Sequence, residues 1–112
     1  MRAEALKGHL DALLLAALEG GPRHGYAVIE TLRASSGGRL DLPTGTIYPA
    51  LRRLEGAGLI AGEWSVVGGR QRREYRLTPS GVHALAGERA DWHEFTTVIT
   101  TALEGKPWPA PA

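Results

Sequence analysis

Pro43-Thr44-Gly45-Thr46-Ile47-Tyr48-Pro49-Ala50-Leu51-Arg52-Arg53-Leu54-Glu55-Gly56-Ala57-Gly58, followed without a break by Leu59 through Thr78, is the stretch that decides the fold. Its first part predicts a helix from about Thr44 to Ala57. Ile47, Leu51, Leu54 and Gly58 lie on one side, and Thr46, Tyr48, Pro49, Arg52, Arg53 and Glu55 share the rest of the surface. Pro49 falls in the first turn or two, where a missing N–H costs little. Leu59 to Val67 then reads as a strand rich in β-branched residues. Gly68-Gly69 turns it, and Gln71 to Leu77 returns antiparallel. A helix with a polar outer face beside a basic two-stranded ribbon predicts a winged helix-turn-helix. In that arrangement the helix enters the major groove and the ribbon's cations reach phosphates.

The flanks agree with this reading. Upstream, Leu10, Leu13, Leu14, Ala17 and Leu18 recur at helical spacing as a core-facing stripe, ended by Gly20-Gly21-Pro22. A second helix is expected over Gly25 to Ser35, with Val28, Ile29 and Leu32 buried. Arg39-Leu40-Asp41-Leu42 alternates like a very short strand. Downstream, Thr78 as N-cap and Pro79 at the first helical position start a last helix reaching Leu103 or Glu104. The fold class is therefore mostly α (α+β): a winged helix-turn-helix over 1–77, a long C-terminal dimerisation helix over 78–104, and a flexible tail over 105–112.

At 112 residues the chain is long enough for one domain, which buries about 60–65% of its unfolded surface and gains from a partner. The net charge of +1 says little, but its distribution is uneven. Residues 39–76 carry seven basic against four acidic side chains, whereas 77–112 carry two against four. The positive excess sits at the ribbon, where a local field serves DNA affinity. There is no cysteine, so neither a disulfide nor a thiolate zinc site is expected. No secretory leader or membrane-length apolar run is visible, and a cytoplasmic location is the expectation.

Candidate DNA contacts follow from side-chain chemistry. Thr44 and Thr46 offer hydroxyls at a helix N-terminus that itself attracts phosphate. Tyr48 adds a ring and a hydroxyl, and Arg52 and Arg53 add charge-assisted donors. On the ribbon, Arg70, Arg72, Arg73 and Arg76 place four guanidinium groups within seven residues. Strand alternation puts Arg70, Arg72 and Arg76 on one face and Arg73 on the other. The DNA-contact set is Thr44, Thr46, Tyr48, Arg52, Arg70, Arg72 and Arg73. On the last helix Leu85, Trp92 and Ile99 are spaced by seven, with Phe95 beside them, as in a two-fold dimer seam. Such a dimer holds two recognition helices about 34 Å apart and matches an inverted-repeat operator on double-stranded DNA. Paired Trp92 rings at the seam would also accommodate a planar aromatic effector.

An enzyme is not expected. His9, His24, His83 and His93 have no helical partner of ligand type, no nucleophile triad or carboxylate pair is evident, and no glycine-rich phosphate loop follows a strand. No metal or cofactor is expected. His24 reads as a cap or packing residue of the second helix.

Several blocks together resemble the PadR family of bacterial transcriptional regulators: Leu6 to Asp11, His24-Gly25-Tyr26, Gly45 to Glu55, Gly58-Leu59-Ile60, and Gly69-Arg70 through Tyr75-Arg76-Leu77-Thr78. The similarity runs over about residues 6–103, and the single last helix looks like the compact subfamily. The resemblance implies a homodimeric winged-helix repressor that binds an inverted repeat and is released by an effector. In members similar to the multidrug-responsive branch, that effector is a planar aromatic compound held between paired tryptophans, and Trp92 stands at the matching position. Two departures are visible. Pro43 occupies the helix N-cap, usually serine or asparagine, so Thr44 is expected to cap instead. Glu74 stands where a second tyrosine is usual. From fold alone, a winged-helix module that binds protein or nucleotide instead of operator DNA is the alternative, and a constitutive repressor without an effector is another.

Overall fold

The computed structural model describes residues 3–6, 8–105 and 107. After a short 3-10 turn at Ala3–Leu6 come α1 (Leu10–Ala17), β1 (Arg23–His24), α2 (Gly25–Ser35), α3 (Thr44–Gly56), β2 (Ile60–Val67), β3 (Arg70–Leu77) and α4 (Pro79–Glu104). Apart from Gly105, which caps α4 with a left-handed backbone, and Pro107, the tail expected over 105–112 lies outside the described residues.

The helices pack because their apolar stripes meet. Leu14 and Leu15 of α1, Val28 of α2, and Ile47, Leu51 and Leu54 of α3 are fully buried, and Ile60 closes the core from the sheet. Leu15 lies off the predicted α1 stripe. It is nevertheless buried because α1 is flanked by α4 as well as by α2 and α3, so two of its sides are covered.

The sheet has three antiparallel strands in the order β1-β3-β2. β2 and β3 form the expected hairpin, with Val67 opposite Arg70 and Gly68 and Gly69 both at positive φ (59° and 79°). Two consecutive left-handed residues match the twist of a tight hairpin, and glycine adopts them without strain. The third strand is β1, where Arg23 pairs Tyr75 and His24 pairs Glu74. It is only two residues long, so no alternation marks it in the sequence.

The strand expected at 39–42 does not form. Leu40 and Leu42 do turn toward the core, as their alternation implies, and Asp41 pairs outward with Arg33 at 2.6 Å. The alternation is real, but these residues join no ladder of the three-stranded sheet. The cap of α3 also differs from expectation. The helix begins at Thr44, and Pro43 is its N-cap with no side-chain cap bond. The Pro43 carbonyl instead accepts from the Thr46 and Ile47 amides at 3.0 and 3.1 Å.

One joint connects the winged domain to the last helix. The Thr78 hydroxyl accepts from the Gly81 amide at 3.1 Å and donates to the Gly58 carbonyl at 2.6 Å. The Thr78 amide donates to the Leu59 carbonyl at 3.2 Å. A Cβ at Gly81 would stand 1.9 Å from that Leu59 oxygen, so the first turn of α4 seats directly on the backbone that ends α3. From there α4 spans 26 residues, about 39 Å at 1.5 Å per residue.

Candidate nucleic-acid interface

On α3, Thr44, Thr46, Tyr48 and Arg52 are all exposed, while Ile47, Ala50, Leu51 and Leu54 are buried. The polar face therefore belongs to the outside of the molecule because the apolar one anchors the helix. Tyr48 is held in place by its neighbour α2. A Cβ on Gly25 would fall 2.5 Å from Tyr48 Cε1, so the ring lies flush against the glycine that opens that helix. Tyr26, the next residue, is exposed. Arg53 turns the other way and pairs with Asp11 of α1, so it braces the helix.

The hairpin has two different faces. Arg70, Arg72 and Arg76 are exposed on one, together with Glu74. On the other, Tyr75 is buried in the core, and burial pushes its phenol upward from the ordinary value. Arg73 shares this second face. Its guanidinium forms a two-pronged ion pair with Glu55 on α3, with Nε 3.3 Å from Oε1, and lies 5.2 Å from the centre of the Trp64 ring. Hydrogen bonding to Arg73 holds the Glu55 carboxyl below the usual carboxylate range, and the same bond raises Arg73. The expected contact set therefore divides. Arg70 and Arg72 face outward beside the α3 surface, and Arg73 is committed to Glu55.

One further residue of this surface was read only in part from the sequence, as a cap of the second helix. His24 caps α2, its Nδ1 accepting from the Ala27 amide at 3.3 Å, and its Nε2 lies 3.2 Å from Arg72 Nη1. The approach of His24 to Arg72 follows from pairing of β1 with β3, which no local pattern signals.

The proposed seam also divides. Leu85 is 3% exposed and belongs to the core of its own chain, so it is not offered to a partner. Trp92, Phe95 and Ile99 are 48%, 55% and 41% exposed, and Val98 and Leu103 continue the apolar strip toward the helix end. Trp92 stacks on Phe95 at 5.8 Å and meets the edge of His9 at 5.1 Å. Beside it, an open groove of about 870 Å³ runs between α1 and α4, floored by Leu13, Ala16 and Leu85 with Arg39 and Asp91 among its lining. Among the described residues no cluster of three or more acidic or histidine side chains could hold a metal ion. No helix among them is long and apolar enough to cross a membrane.

A three-helix domain with a basic hairpin beside an outward-facing third helix defines a winged-helix DNA-binding protein. Comparison with known proteins narrows the class. Residues 14–87 match the Transcriptional regulator PadR-like family, and the chain belongs to that family. It is 45% identical over 77 residues to Transcriptional regulator Rv3488 of Mycobacterium tuberculosis, a match covering 69% of this chain and 59% of that protein. The crystal structure of a PadR family transcriptional regulator from Eggerthella lenta superposes with a TM-score of 0.79 at 36% identity, covering 90% of this chain and 87% of the other. A transcriptional regulator from Clostridium thermocellum gives 0.81 at 25% identity, covering 88% and 97%. The protein is a DNA-binding transcriptional regulator, and its family is one of regulators and not of enzymes.

Proposed function

We propose that this regulator works as a cytoplasmic homodimeric repressor that binds an inverted-repeat operator and is released by a planar aromatic effector. The observation that carries the reading is the pairing of two exposed surfaces on opposite parts of one chain. One is the polar face of Thr44, Thr46, Tyr48 and Arg52 with Arg70 and Arg72 beside it. The other is the apolar strip of Trp92, Phe95 and Ile99. The first suits a major groove and its flanking phosphates. The second suits a two-fold copy of itself, since large apolar strips on a small soluble domain mark interaction sites. Occupying an operator excludes other proteins from it, which supports repression as the outcome.

Effector release rests on Trp92. Its stacked partner Phe95 and the groove beside it make an aromatic-walled site of ordinary ligand size. A ligand there would act by favouring one arrangement of the two α4 helices over another. Sedimentation with a labelled duplex tests the assembly: two chains per duplex are expected. One chain per duplex, with a monomer in the absence of DNA, contradicts it. Quenching of tryptophan fluorescence by planar aromatic compounds, lost in Trp92→Ala, tests the effector site.

A further inference from the structure

The Glu55–Arg73 pair places an acid from the recognition helix against a base from the wing. The second face of the hairpin, which holds Arg73, packs toward the body, and at Gly62 the ion pair occupies the space a side chain would take. A Cβ there would meet Arg73 Nε at 2.7 Å and Glu55 Oε2 at 2.9 Å. Gly62 has no unusual backbone angle, so the space is what it supplies. Trp64, two residues on and directly across the ladder from Arg73, lies within cation–π range of the guanidinium. The pair is only about one quarter exposed on each side, against about half or more for Arg33–Asp41, Arg53–Asp11 and Arg89–Glu19. Arg73 is thus enclosed by Glu55, Gly62 and Trp64, while Arg70 and Arg72 lie exposed on the opposite face of the strand, Arg72 beside His24.

We propose that Glu55 and Arg73 are positioning residues. Their ion pair, seated on Gly62 beside Trp64, fixes the wing against the recognition helix so that Arg70 and Arg72 meet the phosphates flanking the groove the helix occupies. Arg73 then acts on DNA through the wing's orientation and not through a phosphate of its own. This rests on the DNA-binding reading of α3 and the wing, and it reverses the role expected for Arg73 from its place in an arginine cluster. Glu55 likewise becomes a residue that DNA binding needs, although it carries the charge that DNA repels.

That last consequence separates the proposal from simple electrostatics. Removing an acid from a DNA-facing domain ordinarily tightens binding. Here Glu55→Gln, nearly isosteric, is expected to weaken it about fivefold, because a part-buried charge pair is opened and its two wing contacts lose their register. Gly62→Ala is expected to do the same by displacing the pair from the sheet. The charge exchange Glu55→Arg with Arg73→Glu restores the pair at constant net charge and is expected to recover most of the affinity. An Arg73 that contacted phosphate directly would not be replaced by a glutamate. The experiment is anisotropy of a labelled random-sequence duplex titrated with wild type, E55Q, G62A and the exchanged double variant. Amide hydrogen exchange on the same proteins without DNA accompanies it. Weaker binding by E55Q and G62A, recovery in the exchange, and faster exchange confined to residues 62–75 in E55Q are the expected results. Tighter or unchanged binding by E55Q, no recovery in the exchange, or unaltered wing protection overturns the proposal. A wild type that binds no duplex would count against the DNA-binding reading, and the exchange data would still decide whether the pair fixes the wing.

Discussion

Gly25 shows how a residue with no side chain sets the position of one that has a large one. With the Tyr48 ring 2.5 Å from where a Cβ would sit, Gly25→Ala forces the ring outward while adding a residue that suits a helix. Stability is expected to change little, and operator affinity to fall by about 1 kcal/mol, near fivefold. Thermal unfolding alongside DNA titration separates the two effects. Arg70→Ala or Arg72→Ala is expected to weaken binding on every sequence and to lower the salt dependence by about one unit each, read as the slope of log affinity against log salt. At this scale the sequence was legible where chemistry alone decides, as for the exposed threonines and Tyr48 on α3. It was silent where a partner distant in sequence decides. Arg73 is indistinguishable from Arg72 in the chain until Glu55 is brought to it, and Leu85 keeps the seven-residue spacing of Trp92 and Ile99 yet packs into its own core.

At the scale of elements, the helices and the hairpin were readable because each carries a period and a boundary signal. The Thr78-Pro79 start of α4 and the Gly68-Gly69 turn stand where expected. What escaped was β1, since two residues carry no period, and with it the place of His24 beside Arg72, whereas its cap on α2 was expected. The reverse error at 39–42 has the same origin, because alternation reports which side chains turn inward and not whether a neighbouring strand exists. The joint between elements makes its own prediction. Gly81→Ala places a methyl group 1.9 Å from the Leu59 carbonyl and is expected to lower stability by about 3 kcal/mol, measured as a fall in unfolding temperature. Acid sensitivity belongs here as well. Glu55 and Glu19 are held below the ordinary carboxylate range by hydrogen bonds from Arg73 and Arg89. A lowered folded-state value means that their contribution is complete above the unfolded value and disappears as pH falls through the folded one. Wild type should therefore lose stability as pH falls below the ordinary carboxylate value of 4.5, and Glu55→Gln should lose less of it.

The whole molecule is elongated, 59 by 29 by 20 Å, because α4 extends beyond the body it starts from. The described residues cover its aromatic and aliphatic side chains only in part, and a second copy would cover the rest in the proposed dimer. Phe95→Glu is expected to produce a monomer, to remove the rise of unfolding temperature with protein concentration that an associating wild type shows, and to weaken DNA binding. The central claim is that one dimer reads DNA with two α3 helices and two wings. The most direct measurement is anisotropy of a labelled duplex, selected by the wild-type protein from a random library, against its scrambled counterpart at two salt concentrations. The account predicts an enriched inverted repeat, two chains per duplex, and affinity that falls steeply with salt and drops in Arg70→Ala and Arg72→Ala. Equal weak binding to both duplexes, with no enriched sequence and no effect of those arginines, would contradict it.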